Sequence, residues 1–104
     1  MAQFDVHRNT SASRNRVPYL LDVQADLLKV LATRVVVPLV RPSELAGKVI
    51  RYLHVEVEVG GKPLVAIVSE LAAIPSKALG PRVTSLAHLR TDFVRALDVI
   101  IAGL

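Results

Sequence analysis

The chain has 104 residues and no cysteine, so it holds one domain with a single core and no disulfide, thiolate nucleophile or cysteine-ligated zinc. Hydrophobic residues make up 52% but aromatics only 4%, which predicts an aliphatic core and more apolar surface than so small a core hides. The net charge of +4 favours an acidic partner, although the 13 Lys and Arg are scattered.

Residues 3–8 alternate Phe4 and Val6 with polar neighbours, the pattern of a short strand. Residues 9–15 are polar and predict a mobile loop. Arg14 and Arg16, with Arg8 nearby, form the one local basic group there, and no aromatic is interleaved to stack on a base. Strand character resumes over 17–24, where Leu21 and Val23 alternate with Asp22 and Gln24. That alternation breaks at Ala25, and an apolar pair, Leu27-Leu28, follows Asp26. The two leucines either plug a core edge or form a contact surface. Residues 33–40 are β-branched and apolar, a strand buried on both faces, with Pro38 predicting an edge position or a bulge.

Pro42 to Leu45 reads as a helical turn. Leu53, Val55, Val57 and Val59 then alternate with His54, Glu56 and Glu58, a half-exposed strand. Gly60-Gly61 supplies a tight hairpin, and residues 64–68 return as the partner strand. Residues 69–77 read as extended and irregular, punctuated by Gly80-Pro81. Ser85 is the expected N-cap of a final helix, whose inner stripe is Leu86, Leu89, Phe93, Ala96, Leu97, Ile100 and Leu104. Beyond Asp98 the polar face runs out: Val99, Ile100, Ile101 and Ala102 fan round the axis. Such an end predicts a protein contact, with Ile100, Ile101 and Leu104 in a homodimer interface. The fold expected is mainly β with one C-terminal helix, an antiparallel five-stranded sheet in a single domain over 1–104.

No chemistry emerges from the residue pattern. His7, His54 and His88 are far apart, in no metal-ligand spacing, and read as partly exposed surface histidines. His88 and Asp92 read as an i,i+4 surface pair. No nucleophile elbow or phosphate-cradling loop is present, so no cofactor, metal or catalytic residue is assigned. With no apolar run near the roughly 18 residues that span a bilayer, and no leader-like start, the expected setting is the cytoplasm, away from membranes.

Several segments carry a resemblance. Gln3-Phe4-x-Val6, Leu21-Asp22-Val23-Gln24-x-Asp26, Arg34-Val35-Val36-Val37-Pro38-Leu39, Ala73-Ile74-Pro75, Leu86-x-His88 and Gly103-Leu104 resemble, in order and spacing, the CcdB family of toxin–antitoxin toxins. The resemblance implies a homodimer of SH3-like barrels of the CcdB/Kid type and a non-enzymatic toxin. Such a toxin binds the A subunit of DNA gyrase and traps the gyrase–DNA cleavage complex. It implies a cognate antitoxin with a flexible acidic tail, and no sequence-specific nucleic-acid binding. Carried over by position, the target-binding residues are Leu27, Leu28, Asp98, Ile101, Ala102, Gly103 and Leu104. The family pattern has a tryptophan, its main gyrase anchor, where this chain has Ala102. A second reading, from the similar fold of the MazF and Kid endoribonucleases, uses Arg14 or Arg16 with His7 or a carboxylate on single-stranded RNA.

Overall fold

The computed structural model describes residues 2–103. Seven strands form one antiparallel sheet: β1 Asp5–Asn9, β2 Tyr19–Asp22, β3 Thr33–Val40, β4 His54–Val59, β5 Lys62–Ile67, β6 Ala72–Pro75 and β7 Leu79–Ser85. One helix, α1 Arg90–Ala102, follows. The strand order is β4-β5-β3-β2-β1-β7, with β6 also paired to β3. The expected architecture holds, with seven strands rather than five.

The two extra strands lie where the sequence reads as irregular. β6 runs along the first half of β3, pairing Thr33 with Pro75 and Val36 with Ala72. β7 runs along β1 at the end of the strand order, and Pro81 falls where the register shifts between the His7–Arg82 and Asn9–Leu79 pairs, a place where a strand tolerates proline. Gly80 is needed there for a different reason. A Cβ at this position would lie 2.5 Å from the Arg8 carbonyl oxygen, too close for any side chain.

Pro38 does not mark an edge or a bulge. β3 is central, and Pro38 stands opposite Leu20 of β2. Val23 donates to the Val35 carbonyl, so every second residue of β3 from Val35 bonds toward β2. Pro38 therefore turns its missing N–H to the other side. On that side β6 ends at Val36 and β5 begins at Leu39, so no partner is deprived. The Gly60-Gly61 hairpin forms as expected: Val59 pairs Lys62, and both glycines have positive φ, 59° and 78°, as a type I′ turn requires.

The two faces of the sheet differ. Val6, Leu21 and Val37 stand in register across β1, β2 and β3 and pack in the same core as Phe93 and Ala96 of α1. The Phe4 and Phe93 rings stack with centroids 5.4 Å apart. Phe4 itself has φ +68°, a left-handed conformation held by this packing and by its N–H bond to the Asp22 carbonyl. On the opposite face, His7, Asn9, Asp22 and Arg34 are buried polar side chains. Arg34 Nε and Nη2 both donate to Asp22 Oδ2, at 2.9 and 2.6 Å, and both residues are fully buried.

Ser85 does not cap α1. Its hydroxyl accepts from Ala87 N–H at 3.1 Å, so it caps a short 3₁₀ turn, Ala87–Leu89, and α1 begins after it with no side-chain cap. The expected hydroxyl–amide bond exists, on the wrong turn.

Candidate protein-interaction surface

The segment after β2 is built by its polar residues. Asp22 Oδ1 accepts from Gln24 N–H, Gln24 Oε1 accepts from Val35 N–H, and Gln24 Nε2 donates to the Leu28 carbonyl. Asp26 opens a 3₁₀ turn, Asp26–Leu28, and its carboxylate accepts from Gln3 N–H at 2.7 Å. Gln24 and Asp26 tie the turn to β3 and to Gln3, and its apolar side chains point out. Leu27 is 87% exposed and Leu28 45%. The leucines do not plug the core.

The turn continues into a ridge that sequence reasoning missed. Val30 is 86% exposed and Leu31 47%. The signal was present in four aliphatics among five residues around Lys29, outside any alternation. Val49, Ile50 and Tyr52 form another exposed apolar group, before β4.

At the other predicted patch, Phe93 and Ala96 anchor α1 while Leu97 and Ile100 pack at the core margin. Ile101 turns away and is 78% exposed; Ala102 and Gly103 are exposed with it. Gly103 has φ +71° and donates to the Val99 carbonyl, closing the helix in the left-handed cap that glycine favours. Asp98 lies on the exposed face, in a shallow depression with Arg90, Val94 and Arg95. Leu104, expected in both the target and dimer surfaces, lies outside the described residues.

The two patches sit at different ends of α1. Gln3 bonds both Asp26 and Arg90, which places the leucine turn beside the first turn of the helix. Ile101 is eleven residues farther on, about 16 Å at 1.5 Å per residue.

The histidine and arginine expectations change. His7 is not a surface histidine: it is 3% exposed, with Nδ1 3.0 Å from the Gly80 carbonyl and Nε2 unpartnered. Since a carbonyl only accepts, Nδ1 carries the proton. His54 is half-buried and His88 exposed, and among the described residues no ion pair joins His88 to Asp92. The loop after β1 is pinned: the Asn9 amide bonds Ser11, Ser13 and Val17, and Arg14 Nη1 bonds the Ser11 carbonyl. His7 is therefore not presented beside these arginines, while Arg16 lies 3.9 Å from the Glu44 carboxylate at the surface. Among the described residues there is no group of three His, Asp or Glu fit to hold a metal, and no helix long and apolar enough to cross a membrane.

A family model described as CcdB protein matches residues 3–103, nearly the whole chain. The chain belongs to the CcdB family. The crystal structure of an Mtb toxin is similar to this CcdB-family chain with a TM-score of 0.69 at 17% identity, covering 92% of this chain and 99% of that one. At that identity the likeness is one of fold.

Proposed function

We propose that this CcdB-family protein is a non-enzymatic toxin that binds the A subunit of DNA gyrase and traps the gyrase–DNA cleavage complex. A cognate antitoxin with an acidic, flexible tail neutralises it, in the cytoplasm. The observation that carries the reading is the family match over residues 3–103, joined to a helix that presents Ile101, Ala102 and Gly103 to solvent where the family pattern has its anchor. The target surface comprises Leu27, Leu28, Asp98 and residues 101–104. Because the two patches lie at opposite ends of α1, a dimer that brings the chain end of one copy to the leucine turn of the other makes them one surface.

Ala102 defines the test. A buried aromatic anchor often contributes 2 kcal/mol or more, and alanine leaves that space empty. Purified protein should therefore trap gyrase weakly, and Ala102→Trp should strengthen trapping by about tenfold or more, roughly 1.4 kcal/mol. A cleavage titration of supercoiled DNA with gyrase reads both. Absence of linear product with either variant would sink the gyrase reading.

The homodimer has its own check. Its interface takes Ile100, Ile101 and Leu104, and burying two such side chains stabilises by roughly 3–6 kcal/mol before ordering costs. Sedimentation at micromolar concentration should give a dimer, and Ile101→Ser should shift it toward monomer.

A further inference from the structure

The sheet carries a basic rim at the end away from the leucine turn. β2 starts there at Tyr19 and β3 finishes there at Val40, whereas the leucine turn follows the other end of β2. Arg8 pairs Tyr19 across β1 and β2, and Tyr19 pairs Leu39 across β2 and β3. Arg41 stands two residues beyond Leu39, so strand alternation puts Arg8, Tyr19 and Arg41 on one face. Lys62 stands four residues from Ala66, the partner of Leu39, and joins them on that face.

Two depressions meet on this rim at Pro18. One contains Arg8 and Arg14, the other Tyr19, Arg41 and Lys62. No carboxylate lines either depression, and none lies within ion-pair distance of these four cations among the described residues. Two of the cations are held in place. Arg41 Nη1 donates to the Asn15 carbonyl at 2.8 Å and Arg14 Nη1 to the Ser11 carbonyl at 3.1 Å, which leaves the other donors of each guanidinium for an anion.

The one aromatic in the two depressions is covered: the Arg8 guanidinium lies over the Tyr19 ring, 5.8 Å from its centroid. Single strands are gripped by stacking their bases on exposed aromatics, and this rim offers no such platform. A row of unopposed cations without one suits the phosphates of a duplex, whose bases are already stacked on each other.

We infer that this rim docks the phosphodiester backbone of a nucleic-acid duplex without reading its sequence. The contact is separate from the leucine turn and the chain end, and it does not depend on which protein those surfaces bind.

The test is fluorescence anisotropy of the full-length protein with short fluorescein-labelled duplexes at low salt, in the absence of gyrase. Binding should saturate and differ by less than about twofold between unrelated sequences. Its logarithm should fall against that of salt with a slope of about −3.6, the counterion release of four neutralised phosphates. Arg41→Ala with Lys62→Ala should weaken binding by about tenfold and make the slope shallower by about 2. Arg51→Ala with Lys77→Ala removes as much charge from exposed positions outside both depressions and should leave binding unchanged. All four altered side chains are exposed, and melting curves check that each variant folds. Duplexes of DNA and of RNA are run side by side; saturable binding of either supports the inference, and the tighter one names the source of the backbone. No binding, an equal loss in both double variants, a sequence preference, or tighter binding of a single strand overturns it. So does displacement of the duplex by a polyglutamate peptide of matched charge, which would make the rim a site for acidic protein. The gyrase titration reads the protein target, so failure of one reading leaves the other standing.

Discussion

Asp22→Ala should lower the unfolding free energy by about 3–5 kcal/mol, because it leaves the Arg34 guanidinium charged and unpaired in a site with no solvent access. Two of that guanidinium's donors lose their acceptor, and Nη1 has none already. Gln24 N–H also loses its acceptor, and with it the first link of the chain that holds the Leu28 carbonyl. Set against a typical net stability of about 5–15 kcal/mol, the loss brings the protein close to unfolding at body temperature. Urea denaturation should show a lower midpoint with an unchanged slope. Removing both charges at once tests the cause. Arg34→Met with Asp22→Leu should recover most of the loss, since an isolated buried charge is the expensive species. A single variant as stable as the parent would mean that the pair is hydrated.

Phe93→Ala is expected to cost about 3–5 kcal/mol, the range for deleting a fully buried ring and leaving a cavity. Its ring stacks on Phe4, and Phe4 keeps a left-handed backbone conformation that only surrounding contacts sustain. Phe93→Leu should cost less, about 1–2 kcal/mol, through the lost aromatic pair and imperfect filling. Amide exchange along α1 should rise sharply in the alanine variant. Target binding should fall further than stability alone predicts, since Phe93 anchors the helix that presents Ile101 to Gly103.

What the sequence discloses depends on whether the cause of a feature is local. The β4–β5 hairpin is legible because period-two alternation and Gly60-Gly61 act within a dozen residues. The limits of β3 are legible because β-branched residues crowd the segment. β6 and β7 are not, since their own residues, with Pro75, Gly80 and Pro81, favour no strand; pairing to β3 and β1 makes them strands. The helix start is misplaced because Ser85 makes the right bond for a turn that is not α-helical. His7 looks solvent-facing by alternation, yet the face opposite the main core is itself covered. The exposure of Ile101 follows from the local pattern, whereas the pattern leaves Leu27 and Leu28 open between a core edge and a contact surface, and the structure exposes them. The Asp22–Arg34 pair was invisible, because a charge in a strand gives no sign of the partner that the sheet brings beside it.

The pairing of β1 with β7, and of Phe4 with Phe93, joins the first described segments to nearly the last. Loop closure over that separation must precede the contacts that reward it, so folding should be slow for a chain of this size, in milliseconds to seconds rather than microseconds. On the ribosome, β1 waits without its outer neighbour while β7 and α1 are still being made. Leu21 and Val37 then lack the helix that covers them. The nascent chain is consequently both inactive and sticky until synthesis has passed α1.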